Sequence, residues 1–238
     1  MAITLDGVRF VTDPALTSRL AHLRRHHLVD TTDLRADVAL ISHVHMDHLH
    51  LPSLRLLGTD VEVIAPRGAG GFLRRHGFRR VREVAAGDHV AEGSVVIEVV
   101  PAVHPDGRGP HSRVHADAIG FVLNGVGGTV YFAGDTDLFD EMADLGDIDV
   151  ALLPIAGWGP TLGEGHLNPE RATQAVDLVS PGLVVPIHWG TYSPVRLRSG
   201  PPLWLGRPAV DFTEQMHRHG HARRLRLLRP GQQLVDDG

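Results

Sequence analysis

Four side chains able to bind a metal fall within one short stretch of this chain. The segment Ser42-His43-Val44-His45-Met46-Asp47-His48 follows directly on the apolar run 38–41, so a strand ends in imidazoles and a carboxylate. If the chain stays extended past Ile41, the two-residue period sets His43, His45 and Asp47 on one side, and the next turn brings His48 round. Neutral imidazole and carboxylate suit zinc first, and would also accept manganese or iron. The chain has 17 histidines, yet composition alone yields only roughly 0.007 matches to His-x-His-x-Asp-His, which removes the chance explanation that weakens most short motifs.

Four side chains cannot saturate two cations, so more ligands are expected at other strand ends. His104 follows the apolar stretch 95–103, Asp135 follows 129–134, and His188 follows 183–187. Each stands just past a buried-looking strand, where layered α/β proteins tend to carry functional residues. Taken singly, a histidine or aspartate there is an ordinary turn residue; their order along the chain is what links them.

The elements that must position these residues are legible as short apolar runs at 38–41, 61–65, 95–100, 118–123, 129–133, 150–155 and 183–187. They read as strands. Asn124-Gly125-Val126-Gly127-Gly128 reads as a hairpin connection, and Glu92-Gly93 as a weaker one. Helical spacing falls at 51–57, 70–76, 138–145 and 169–179, the last with Asn168 as cap and Pro169 in the first helical position. The interleaving of antiparallel blocks with helices predicts a layered α+β sandwich over one domain, 1–238, rather than a doubly wound parallel sheet.

Composition narrows the function further. The 238 residues carry a formal charge of −5, with 23 basic residues, all arginine, against 28 acidic ones. Such a chain has no global positive field to hold nucleic acid, and a small-molecule substrate is expected. The absence of cysteine excludes thiolate metal sites and cysteine nucleophiles. No targeting segment and no apolar run long enough to span a membrane is visible, which sets a cytoplasmic location as the expectation.

In these motifs the sequence resembles the metallo-β-lactamase superfamily. The resemblance runs from Asp13 through His43, His45, Asp47 and His48 to His104, Asp135 and His188. It implies a four-layer αβ/βα sandwich with a dinuclear centre along one edge. It also implies that His43, His45 and His104 bind one metal, that Asp47, His48 and His188 bind the other, that Asp135 bridges, and that Asp13 supports without ligating. Thr12-Asp13-Pro14, Pro101-Ala102-Val103-His104 with Arg108, Gly134-Asp135-Thr136, His166-Leu167-Asn168-Pro169-Glu170 and Pro186-Ile187-His188-Trp189-Gly190-Thr191 are similar to one subgroup. That subgroup contains N-acyl-phosphatidylethanolamine phospholipase D and ascorbate-6-phosphate lactonase. Pro154-Ile155-Ala156-Gly157-Trp158 departs from its usual Pro-Ile-Gly-Ala-Tyr, in a loop expected to line the substrate pocket.

The expected reaction is hydrolysis of a phosphodiester, phosphorylated lactone or related ester by a metal-bridging hydroxide, with two divalent ions per chain. Asp47 and His166 are the expected catalytic residues, Asp47 orienting the nucleophile and His166 giving a proton to the leaving group. Arg108 is expected to pair with a substrate anion through its fork, and Trp158 and Trp189, with Tyr192, to form an apolar wall. Alternatives on the same fold are an iron-dependent redox enzyme, a nuclease, or a non-catalytic metal-binding protein. His217, His219 and His221 alternate like ligands but straddle Gly220 before a basic stretch, 223–229, that reads as a strand. His26 and His27 read as a solvated loop, and His111 and His115 as part of the long loop after His104.

Overall fold

The period of two that runs through the apolar stretches decides how the layers stack. In the computed structural model, which describes residues 1–27, 29–32, 34–109, 111–157, 161–195, 201–229 and 231–235, Val38 and Leu40 face one core while Ala39 and Ile41 face another. The strands are β1 (Ala2–Leu5), β2 (Val8–Thr12), β3 (Arg19–Leu20), β4 (Leu23–Arg25), β5 (Val38–Leu40), β6 (Glu62–Pro66), β7 (Val81–Val84), β8 (His89–Glu92), β9 (Val95–Pro101), β10 (Ile119–Gly125), β11 (Gly128–Phe132), β12 (Val150–Pro154), β13 (Leu183–Ile187) and β14 (Tyr192–Pro194). The helices are α1 (Leu51–Leu56), α2 (Gly70–Arg75), α3 (Pro169–Val179) and α4 (Arg207–Arg218).

Two large sheets form, in the orders β1-β2-β5-β6-β7 and β13-β12-β11-β10-β9-β8. Their facing sides make the central core, where Phe10, Leu40 and Ile64 of the first meet Ile97, Phe121 and Leu152 of the second. The outer face of the first sheet packs Ala39, Val63 and Ala65 against Leu54 of α1 and Leu73 of α2. The outer face of the second packs Tyr131, Ala151 and Val184 against Ala172 and Val176 of α3 and Phe212 and Met216 of α4. Helix, sheet, sheet, helix is the expected αβ/βα sandwich. Strands covered on both faces, such as β5 and β12, are apolar throughout, which is why they were legible as continuous runs. Among the described residues, no helix is long and apolar enough to cross a membrane.

Strand direction brings the site together. β2 and β5 are parallel, so residues past both C-terminal ends, Asp13 and 41–48, lie at one edge. In the second sheet β9 is antiparallel to β10 and β10 to β11, whereas β11, β12 and β13 are parallel. The chain therefore leaves β9, β11, β12 and β13 at one common edge. At that edge the Ile119 N–H donates to the Ser42 carbonyl at 2.9 Å, joining the two sheets.

Both hairpins form. Gly125 pairs with Gly128 and Glu92 with Val95. In α3 the Asn168 side chain accepts from the Arg171 N–H at 2.8 Å. Two expectations are corrected. The stretch 138–145 holds only a short 3-10 helix, Asp140–Asp144, and Gly146 at φ 78° turns the chain away just past it. The stretch 223–229 is not a strand: after a 3-10 turn at Ala222–Arg224 it makes a single bridge from Leu225 to Val184. The small third sheet, β14-β4-β3, was not anticipated.

Candidate metal centre

The loop after β5 does not stay extended. The N–H groups of His48 and Leu49 both donate to the His45 carbonyl, at 3.2 and 2.9 Å, and this turn sends the ligands in two directions. His43 and His45 remain together, while Asp47 swings round with His48. The first group brings His43 Nε2 to 3.1 Å from His45 Nδ1, and His104 Nε2 to 3.0 Å from the same atom. In the second, His48 Nε2 lies 3.0 Å from His188 Nε2 and 3.6 Å from Asp47 Oδ2. Asp135 Oδ2 stands 3.1 Å from His48 Nε2 and 3.5 Å from His188 Nε2.

The outward nitrogens of these rings are held by fixed acceptors, which decides where the protons sit. His48 Nδ1–H donates to Asp13 Oδ2 at 2.6 Å, His104 Nδ1–H to the Gly165 carbonyl at 2.7 Å, and His188 Nδ1–H to the Ala156 carbonyl at 2.9 Å. Asp13 also accepts from the Ser42 N–H at 2.8 Å and the Ser42 hydroxyl at 2.5 Å. With its own hydrogen so committed, Ser42 Oγ accepts from His43 Nδ1–H at 3.0 Å. In their neutral forms His43, His48, His104 and His188 thus each turn an Nε2 lone pair toward the centre.

Burial lowers His43 far below the usual imidazole range, lowers His45, and lowers His104 to about 4. These three rings are neutral. The other group has the opposite sign. Burial opposes charge on His48 and His188, but Asp135 and Asp47 raise both of them, with Asp13 adding to His48. Burial likewise opposes ionisation of Asp47 and Asp135, and the histidines overcome it and hold both carboxyls below the usual range.

These residues fit bound metal. Nitrogens of three neutral imidazoles converge, with His43 Nε2 and His104 Nε2 3.1 and 3.0 Å from His45 Nδ1, and nitrogens bound to one zinc at about 2.0–2.1 Å in a tetrahedron stand about 3.4 Å apart. Asp135 Oδ1 is buried and has no hydrogen-bond partner, a costly state for an ionised oxygen unless a cation meets it.

Two glycines let the loops close. Gly134, at φ 64°, lies so near Ser42 that an added Cβ would stand 2.4 Å from the Ser42 Cβ. That approach carries Asp135 to His48. Gly165, at φ 75°, packs on the His104 segment, where a Cβ would fall 2.8 Å from Pro105 Cδ and 3.1 Å from His104 Cα. The same loop delivers His166, whose Nε2 is 3.6 Å from Asp135 Oδ2 and whose ring meets His104 edge-on at 4.6 Å.

Other expected contacts fall elsewhere. Arg108 does not point its fork at the centre: its Nη1 donates to the Val44 and Leu49 carbonyls at 2.8 and 3.0 Å. Trp189 packs against the α3–α4 core and donates Nε1–H to the Pro186 carbonyl. Tyr192 joins the core of the small sheet, its hydroxyl on the Ala15 and Thr17 carbonyls. Trp158 lies outside the described residues. His219 and His221 both bind Asp177, at 3.0 and 2.6 Å, His115 stands 3.4 Å from Asp106, and His26 bonds Ser193. Sequence reasoning missed Ser42, Gly165 and the Ala156 carbonyl as supports. Only Ser42, beside the motif, carried a signal.

Residues 8–189 match the Beta-lactamase superfamily domain, and the chain belongs to that family. A UPF0173 metal-dependent hydrolase of Methanopyrus kandleri is 31% identical over 206 residues, 81% of this chain and 81% of its own. The N-acyl-phosphatidylethanolamine-hydrolyzing phospholipase D 1 of Caenorhabditis elegans is 30% identical over 219 residues, 80% of this chain and 61% of its own. Igni18, a metallo hydrolase from Ignicoccus hospitalis, superposes with a TM-score of 0.73 at 26% identity, covering 97% of this chain and 91% of that one. The chain is a metal-dependent hydrolase of the metallo-β-lactamase superfamily.

Proposed function

We propose that this hydrolase is dinuclear and cleaves a phosphodiester, phosphorylated lactone or related ester of a small molecule. The observation that carries the reading is Asp135, buried between two ligand groups with one oxygen near His48 and His188 and the other without a protein partner. His43, His45 and His104 would hold one cation, Asp47, His48 and His188 the other, and Asp135 both. Three imidazoles in one group and a carboxylate-rich second group suit zinc, and also admit manganese or iron. Two such cations supply an activated water and Lewis-acid polarisation of the scissile ester.

The chain's own residues do the rest. Asp47, 3.5 Å from His188 Nε2, offers a second oxygen to orient the attacking water. His166 donates Nδ1–H to the Gly163 and Glu164 carbonyls, at 3.2 and 3.0 Å, which turns the Nε2 lone pair inward; there it can take a proton from the attacking water and, as the imidazolium so formed, pass it to the leaving group. The C. elegans relative is named for cleaving a phospholipid, which favours the phosphodiester branch. The test is elemental analysis of protein purified without added metal, paired with hydrolysis of bis(p-nitrophenyl) phosphate and a simple lactone. About two zinc or manganese ions per chain with turnover of either substrate are expected; protein that binds no added metal and turns over neither would overturn the reading.

A further inference from the structure

Arg108 carries a charge that the proposed chemistry does not use. It sits on the segment that follows His104, and one nitrogen, Nη1, donates to both Val44 O at 2.8 Å and Leu49 O at 3.0 Å. Val44 lies between His43 and His45, Leu49 follows His48, and both residues are fully buried. A single nitrogen therefore gathers the two ends of the loop that carries four of the proposed ligands. The guanidinium lies over the Phe72 ring of α2, 4.4 Å from its centroid. Its own backbone is fixed by an N–H bond to the Val114 carbonyl at 3.1 Å, and the Ala116 N–H closes the same segment on the Asp106 carbonyl at 3.0 Å.

We propose that Arg108 is a positioning residue that holds the 43–49 loop in its metal-binding curvature and ties it to the His104 segment. The proposal rests on the dinuclear reading above. Without the guanidinium two buried carbonyls lose their donor, and the loop must open to find water for them. Opening moves His43 and His45 away from His104, and Asp47 and His48 away from His188, so both cations are loosened together. Because both bonds come from one nitrogen, a lysine ammonium can replace them; a guanidinium that gripped a substrate anion through its fork could not be replaced in that way.

The experiment compares wild type, Arg108→Ala, Arg108→Gln and Arg108→Lys, each loaded with cobalt or zinc and checked by near-UV circular dichroism. Metal release to a chromophoric chelator, the visible spectrum of the cobalt form, and kcat and KM on bis(p-nitrophenyl) phosphate are read. Arg108→Ala should release both cations about 10–100-fold faster, as expected when a support of the ligands is lost, with a changed cobalt spectrum and a fall in kcat at little-changed KM. Arg108→Lys should recover most of the metal retention, and Arg108→Gln should fall between. Should the alanine variant not fold, the lysine and glutamine pair decides by the same readouts. Native release and spectrum in the neutral variants, with KM alone raised, would overturn the proposal and return Arg108 to the substrate. Wild type that takes up no cobalt would overturn the metal centre and the proposal together. Wild type that binds cobalt without hydrolysing would overturn only the reaction, since release and spectrum need no turnover.

Discussion

Replacing Asp13 with asparagine changes almost no volume, and asparagine tolerates the left-handed backbone that Asp13 adopts at φ 39°. What it removes is an acceptor. Asp13 Oδ1 takes the Ser42 N–H, and Oδ2 takes the Ser42 hydroxyl and His48 Nδ1–H. An amide has one oxygen for these three donors. If that oxygen keeps the Ser42 N–H, the NH2 faces Ser42 Oγ and His48 Nδ1. His48 must then carry its proton on Nε2, inside the second ligand group. Ser42 Oγ would accept from the amide and donate to His43 Nδ1, which puts the His43 proton on Nε2 as well. One isosteric change thus blocks a nitrogen in each group. If the amide flips instead, the ligands keep their tautomers and a buried Ser42 N–H loses its acceptor, at a loss of about 1–3 kcal/mol in stability. The first outcome lowers metal affinity by about 10–100-fold, or about 1.4–2.8 kcal/mol. Chelator competition separates it from the second, which lowers the Tm of the metal-free protein. Unchanged affinity in both groups together with unchanged Tm would refute the assignment of Asp13 as the shared support.

His166→Ala should keep both cations and lose about 100-fold or more in kcat, and unchanged kinetics would strike it from the reaction. Asp135→Ala should lower metal content and abolish turnover while circular dichroism stays native; full activity would sink the bridging assignment. The metal-free protein should be most stable near pH 6.5, the ordinary imidazole value, in melts after chelation. His43, His45 and His104 have lowered pKa values, so their contribution is lost as pH falls from about 6.5 toward the value of about 4 for His104. His48 and His188 have raised values, so theirs is lost as pH rises through the folded pKa; metal should erase this alkaline limb, and a limb that survives loading would contradict the ligand set.

The sequence was most informative where physics leaves little choice. β5 and β12 are covered on both faces and had to be apolar from end to end, and candidate ligands had to follow such strands to reach a common edge. His43, His45, Asp47, His48, His104, Asp135 and His188, which the structure brings together there, were therefore legible as candidates from type and place. β3, β4 and β14 were not, because these two- and three-residue strands, Arg-Leu, Leu-Arg-Arg and Tyr-Ser-Pro, carry neither an apolar run nor enough length for periodicity to register. The turn at His45 was hidden for a different reason: it depends on Arg108, 59 residues beyond Leu49. Arg108 itself was placed on the substrate because an arginine near ligands reads as an anion clamp, and nothing local reveals that two carbonyls await it. Backbone acceptors such as Gly165 O and Ala156 O carry no residue signature at all.

Two of the five non-glycine residues with a left-handed backbone among the described residues stand at this edge. Asp13 and His188, one past each large sheet, are both left-handed, at φ 39° and 59°. Such a backbone costs a non-glycine residue on the order of 1–3 kcal/mol and persists only where its surroundings over-determine it. For Asp13 the surroundings are the Leu40 carbonyl, which accepts its N–H at 2.9 Å, and the donors of Ser42 and His48. For His188 they are the Ala156 carbonyl on Nδ1 and, through Ile187, the Ile155 N–H at 3.2 Å. The turned backbone lets a chain leaving a strand double back across the edge, so that His48, supported by Asp13 from one sheet, stacks on His188 from the other at a 5.0 Å ring separation. The stiffness of the sandwich is what holds two such turns in register, and the second group of ligands exists only while both sheets stay packed.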